Sequence, residues 1–283
     1  MLEKIIYVNH KGEKLDSERD GFYVNYNDLR DYLWDYVEDN RRIRSFKKGI
    51  VKKTIPIIIA KESEREAIAI KNRIIEVTEK DIIDNIPGEI IINESYMRGF
   101  IIGNSKSNYL ISRKTIQESL TFVSDYPFWI TEQSVKITPI SDTAVSEETG
   151  VKTYPYTYPY KYPLLQTETS VYVDHYTESD FKLTAYGPTT SVLININGYP
   201  YEVAYPLEEG EHMIIDSRPQ TPKEEKLYVV RANGEKESIF NYRSVENTIF
   251  KKIPAGMVKI DYPRTYGVDL IIYKERSEPP WKS

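Results

Sequence analysis

Enzymatic chemistry needs a nucleophile, a titrating base or a set of metal ligands, and this chain is poor in the residues that supply them. It has no Cys and three His (His10, His175 and His212), beside 43 Asp and Glu and 38 Lys and Arg. Without Cys there is no thiolate nucleophile, no disulfide framework and no iron–sulfur or zinc-finger site. A Ser-His-Asp relay could use His175 beside Asp174 or His212 near Asp216, but neither stands in a recognisable nucleophile context. Two carboxylates at glycosidase separation can be found among any 43 acids, so their availability carries no specificity. Gly99 and Gly103 fall between strand-like runs and no Gly-Lys-Ser/Thr follows them, so neither a phosphate loop nor a dinucleotide fingerprint is present. No catalytic residue, metal ligand or cofactor is expected, and the chain reads as a non-enzyme.

One group of charges does have a pattern. Asp28, Asp31, Asp35, Glu38 and Asp39 precede Arg41, Arg42, Arg44, Lys47, Lys48, Lys52 and Lys53, with no acid among the bases. This dipolar block fits two arrangements: two solvated strands pairing inside one domain, or complementary patches meeting between copies in a ring. Both stay open here. In the second, Trp34, Tyr36, Arg41, Arg42 and Arg44 are the expected contacts, because aromatic and Arg anchors dominate interface energetics. Phosphate binding by the basic half ranks below both, since adjacent acids cancel its field beyond about a Debye length. A net charge of −5 also argues against a nucleic-acid reader.

The elements that would position these residues are mostly strands. At about 150 residues per domain, 283 residues suggest two domains, each able to bury a core without a staple. In the first, from 1 to about 140, Ile5-Ile6-Tyr7-Val8, Ile55-Pro56-Ile57-Ile58-Ile59, Ile90-Ile91-Ile92, Phe100-Ile101-Ile102 and Tyr109-Leu110-Ile111 read as strands. Ser63-Glu64-Arg65-Glu66 has capping-box spacing, and Ala67, Ile70, Ile74 and Val77 follow on one stripe, which predicts a helix over about 63–78 packed on a sheet.

Residues 141–163 read as a connector. In Tyr154-Pro155-Tyr156-Thr157-Tyr158-Pro159-Tyr160-Lys161-Tyr162-Pro163 the prolines remove ladder donors and exclude a helix or central strand. The segment is either an inert spacer or an aromatic arm laid on a neighbour. From 164 to 283, alternating runs such as Phe181-Leu183-Ala185, Val192-Ile194-Ile196, Val258-Ile260 and Val268-Leu270-Ile272 are punctuated by Gly187-Pro188, Asn197-Gly198 and Asn233-Gly234. That pattern predicts an antiparallel β-sandwich, with a type I′ turn at Asn233-Gly234. No apolar run approaches roughly 18 residues and no export segment is visible, so a soluble chain is expected and the Asn93-Glu94-Ser95 sequon reads as chance.

Several segments together resemble the distal tail proteins of phages with long non-contractile tails. They are Tyr32-Leu33-Trp34-Asp35-Tyr36, Arg44-Ser45-Phe46, Ile86-Pro87-Gly88 and Asp125-Tyr126-Pro127-Phe128-Trp129-Ile130, then the Tyr/Pro stretch. Further on come Ser179-Asp180-Phe181-Lys182-Leu183, Tyr186-Gly187-Pro188, Ile253-Pro254-Ala255-Gly256 and the ending Glu275-Arg276-Ser277-Glu278-Pro279-Pro280-Trp281. The resemblance implies a mainly β protein, a ring-forming N-terminal β domain with one helix joined to a galectin-like sandwich. It implies a homohexameric baseplate hub at the virion tail tip, assembled in the host cytoplasm. Its partners would be its own copies, the tail tube protein, a tail-associated lysin or fibre protein and receptor-binding proteins, with DNA only in passage through the channel and no membrane contact. No catalytic residues come with it. A carbohydrate-binding module for host wall polysaccharide is the alternative reading, since exposed rings on a sandwich can stack on sugars.

Overall fold

A computed structural model of the chain describes residues 4–106, 110–112, 115–140 and 168–281. The Tyr/Pro stretch lies outside the described residues. The chain divides into two compact units, Met1–Thr131 with Glu275–Ser283 and Glu132–Lys274.

Unit 1 is built from β1 (Ile5–Val8), β2 (Lys14–Asp16), β3 (Phe22–Val24), β4 (Asp35–Asp39), β5 (Arg42–Lys47), β6 (Val51–Ala60), helix α1 (Glu64–Asp84), β7 (Gly88–Ile92), β8 (Ser95–Ser105), β9 (Leu110–Ser112), β10 (Thr115–Ser124) and the start of β11 (Trp129–Ile137). The pairings are antiparallel, in the order β2–β1–β7–β8 and then β8–β10–β6–β3. Strand β8 serves both ladders: Ser95 to Gly99 pair with β7 and Phe100 to Ser105 with β10. Gly99 sits at this changeover because nothing larger fits. A Cβ there would press into the Val123 carbonyl and lie 2.5 Å from the Phe122 ring. Alternation places Ile55, Ile57, Ile59, Ile90, Ile92 and Phe122 inward, where they share a core with α1.

Helix α1 starts where the capping-box spacing puts it. Ser63 is the N-cap and its hydroxyl accepts from the Glu66 amide at 3.3 Å. The stripe is inward as expected: Ala67, Ile74 and Val77 are buried and Ile70 is partly covered. The helix continues past 78 to Asp84, where Asn85 closes it in the left-handed conformation at φ 51° and the Ile86 amide returns to the Asp81 carbonyl at 3.1 Å. Apolar periodicity could not show this extension, because beyond Thr78 its buried residue is the polar Asp81. Thr78 returns its hydroxyl to the Ile74 carbonyl at 2.9 Å. The fully buried Asp81 accepts from the Tyr7 hydroxyl and from the His10 amide at 2.9 Å, and its Oδ1 lies 2.5 Å from His10 Nδ1. The other His10 ring nitrogen meets Asp84 at 2.9 Å. Burial, followed by the hydrogen bond to Asp81, pushes the Tyr7 hydroxyl well above its ordinary pKa.

Unit 2 comprises the rest of β11, β12 (Glu168–Val173), β13 (Asp180–Tyr186), β14 (Val192–Ile196), β15 (Tyr199–Val203), β16 (His212–Asp216), β17 (Leu227–Val230), β18 (Lys236–Ser238), β19 (Gly256–Asp261) and β20 (Val268–Arg276), whose last residues return the chain to unit 1. Two antiparallel sheets, ordered β12–β19–β14–β15 and β18–β17–β16–β13–β20, enclose one core. Phe181, Leu183 and Ala185 of one sheet are buried with Val192, Ile194, Ile196, Val258 and Ile260 of the other, which makes this unit a β-sandwich. The Tyr201 ring stands edge-on to Phe181 at 5.5 Å, and its hydroxyl reaches the Lys251 carbonyl at 2.7 Å. Asn197 and Gly198, with φ of 48° and 77°, make the two-residue turn between β14 and β15. The Asn233-Gly234 hairpin differs from expectation. Only Gly234 has positive φ, and its amide bonds the Arg231 carbonyl at 2.8 Å, so the loop is a type I turn completed by a left-handed glycine. The Asn-Gly pair occupies its last two corners instead of its centre.

Candidate assembly surface

The middle of the dipolar block, Asp35 to Lys47, folds as a two-stranded hairpin, β4 against β5, which pairs with no other strand among the described residues, while Lys52 and Lys53 belong to β6. Its turn is Asn40-Arg41, with φ of 48° and 60°, the geometry of a type I′ turn. Within the hairpin, acids and bases are thus cross-strand neighbours in one copy. Asp35 stands opposite Lys47 and Asp39 opposite Arg42, and Arg44 holds Asp39 through Nη2 at 2.7 Å and Nε at 3.0 Å. Every residue of both strands is exposed.

The hairpin is amphipathic. Alternation puts Asp35–Lys47, Val37–Ser45 and Asp39–Arg42 on one face and Tyr36–Phe46 and Glu38–Ile43 on the other, with Arg44 taken up by the irregularity between Val37 and Glu38. Tyr36, Ile43 and Phe46 are 57%, 56% and 62% exposed, so an apolar face is left without cover in this chain. A lone hairpin is at best marginally stable in water. This one is held at its base. The Lys48 ammonium lies 4.4 Å from the Phe128 ring centroid, 5.0 Å from Trp34 and 5.8 Å from Tyr32, and donates to the Pro127 carbonyl at 3.1 Å. Burial, then the nearby Lys53 charge, outweigh this attraction and push the Lys48 pKa down to about 8. The Lys53 ammonium is itself buried, donating to the carbonyls of Asp28 at 2.8 Å and of Asp31. Arg30, in the loop leading to the hairpin, grips the returning C-terminal segment: it donates to the Pro279 carbonyl at 2.7 Å and lies 3.8 Å from the Trp281 ring centroid.

The five expected contact residues therefore have different places. Trp34 is part of the clamp at the base, 5.9 Å edge-on from Phe128, and Tyr36 lies on the open apolar face. Arg41 forms the tip, while Arg42 and Arg44 neighbour Asp39. Reasoning from residue type misses Ile43 and Phe46, which stand three positions apart and share a face only because of the irregularity at Arg44, so strict alternation does not signal them. The Asp216 carboxylate is taken by Arg218 at 2.7 Å, the His212 ring packs near Tyr186, and His175 packs on Tyr176 at 4.4 Å. Among the described residues no three His, Asp or Glu side chains group to hold a metal ion, and no helix is long and apolar enough to cross a membrane.

This two-unit architecture recurs in solved structures. The phage SPP1 Dit protein (gp 19.1), a paradigm of the hub adsorption apparatus in phages that infect Gram-positive hosts, matches 98% of this chain and 100% of its own with a TM-score of 0.59 at 10% identity. The chain has the Dit fold. Two structures of the phage P2 baseplate in its activated conformation, with Ca and with Sr, contain chains that share it. They match at TM-scores of 0.60 and 0.59 and identities of 12% and 14%, over 99% of this chain and 100% of theirs. No family model and no curated protein matches the sequence.

Proposed function

We propose that the chain is a structural subunit of a phage tail tip, a baseplate hub that assembles through unit 1 into a homohexameric ring. The ring joins the tail tube to the tail-associated and adhesion proteins and lets DNA pass through its channel. The observation that carries this reading is the uncovered apolar face of the β4–β5 hairpin, in a chain whose fold is that of a hub protein. Burying the exposed part of Tyr36, Ile43 and Phe46 on association contributes roughly 1–2 kcal/mol each, part of which offsets the lost freedom of the subunits. Closure into a ring engages each copy twice, so modest contacts suffice. The work of the molecule is then assembly and not turnover.

The test is Tyr36→Glu with Phe46→Glu, compared with the unchanged chain by multi-angle light scattering and negative-stain imaging at high protein concentration. The unchanged chain is expected to form six-fold rings and the variant to remain monomeric with the same circular dichroism. A variant that still forms rings removes the hairpin from the interface, and an unchanged chain that stays monomeric at every concentration overturns the ring.

A further inference from the structure

The turn between β1 and β2 carries His10 onto the end of α1, where its ring lies between two carboxylates. Nδ1 is 2.5 Å from Asp81 Oδ1 and Nε2 is 2.9 Å from Asp84 Oδ2. A neutral imidazole has one N–H and one bare nitrogen, so it can donate to only one of two ionised carboxylates. The bare nitrogen would then face the lone pairs of the other at hydrogen-bond distance. Both contacts are made only when each holds a proton, one more than a neutral imidazole and two carboxylates bring. The surrounding groups favour this count. The Tyr7 hydroxyl of β1 donates to Asp81 Oδ2 and the His10 amide to Oδ1, so the fully buried carboxylate is met by donors. Lys11 of the turn, at 2.8 Å, and then His10 hold the Asp84 carboxyl below its ordinary range. Glu13 and Lys80, the next charges between turn and helix, neutralise each other at 2.8 Å. At the start of β7, Gly88 brings no charge, and a Cβ there would collide with Asp81 Oδ2.

We propose that Tyr7, Asp81, His10 and Asp84 form a proton-held latch, which fastens the β1–β2 turn to the end of α1 while the extra proton is bound and slackens when it leaves. The proton belongs to the cluster and not to one residue, since the Nδ1–Asp81 contact can be written with it on either atom. Above the ordinary imidazole range the unfolded chain has released this proton and the folded cluster still binds it, so the latch contributes less as pH rises. Its loss does not free the turn. The Asn9 side-chain amide still donates to the Val77 carbonyl at 3.2 Å and Glu13 still meets Lys80, so the junction loosens without unfolding. The inference is independent of the ring reading.

The test compares the unchanged chain with His10→Gln, whose side chain does not titrate, by urea midpoint on tryptophan fluorescence at about pH 7 and about pH 10. The midpoint advantage of the unchanged chain is expected to shrink by at least about half between the two, because all other titrating groups are common to both chains. Asp84→Asn keeps an acceptor but removes a charge that holds the proton, and is expected to move the loss to lower pH. An advantage that stays constant or grows with pH overturns the latch. Imidazole 15N–1H spectra of the unchanged chain at about pH 8 read the proton count without any variant. A proton in each of the two His10 contacts is expected, and a single proton for the pair overturns the proposal.

Discussion

Replacing Asp81 by Ala would remove the carboxylate that ties the end of α1 to the β1–β2 turn. Two buried donors lose their acceptor, the Tyr7 hydroxyl and the His10 amide, and His10 Nδ1 loses its carboxylate neighbour. An orphaned buried donor costs about 1–3 kcal/mol, so the variant should lose roughly 3–5 kcal/mol, the range found when one partner of a buried ionic cluster is deleted. Urea unfolding followed by tryptophan fluorescence is the right assay, because Trp34, Trp129 and Trp281 all belong to unit 1 and unit 2 has none. With a slope near 2 kcal/mol per molar urea, the midpoint should fall by about 1.5–2.5 M. Asp81→Asn keeps the volume and one acceptor oxygen and should lose about half as much. A midpoint for Asp81→Ala within about 0.5 M of the unchanged chain would refute the idea that this cluster, and not the apolar stripe alone, fixes the helix.

Gly99→Ala should lower unit 1 stability by more than about 2 kcal/mol on the same fluorescence curve, since the added methyl meets backbone at the Val123 carbonyl and cannot be accommodated by a side-chain rotation. Lys48, with its pKa pushed down to about 8 against an ordinary 10.5, should be acetylated with a rate midpoint near pH 8 while exposed lysines keep gaining rate above it; a Lys48 profile that tracks the others refutes the burial. The unfolded chain binds the extra proton between these values, so this lysine adds to unit 1 stability as pH rises from about 8 toward 10.5, and the added stability is lost as pH falls back through 8. Arg41→Gly should leave stability within about 0.5 kcal/mol, because relief of the left-handed side chain and the greater freedom of unfolded Gly nearly cancel. It should still raise the concentration needed for assembly on light scattering, and an unchanged concentration dependence removes Arg41 from the contact.

Features written in short-range pattern are legible in the sequence itself. The capping box at Ser63, the stripe Ala67–Ile74–Val77 and the inward series of β13, β14, β19 and β20 stand where periodicity puts them. Features made by distant polar pairing are not legible in this way. The six residues of α1 beyond Thr78 depend on Asp81 meeting Tyr7, 74 positions away, and nothing local in Glu79-Lys80-Asp81 announces a buried carboxylate. The hairpin shows the boundary between the two. Its charges are plain in the sequence, but which face carries Phe46 and Ile43 depends on register, and register is set by the Asn40-Arg41 turn and the irregularity after Val37. The turn expected at Asn233-Gly234 is misplaced for a related reason: a dipeptide signal gives the presence of a corner but not its position within the loop.

Unit 1 is one body made from two stretches of chain, with everything between Thr131 and Glu275 threaded through the other unit. A single protease cut within residues 141–167 would therefore not free an intact N-terminal unit. The upstream fragment would still grip the far end of the downstream one, through Arg30 on the Pro279 carbonyl and Trp281 ring and through Asn93 on the Pro280 carbonyl at 3.0 Å. Nicked protein should thus copurify as a pair, and separate expression of the two halves becomes a complementation experiment rather than a dissection.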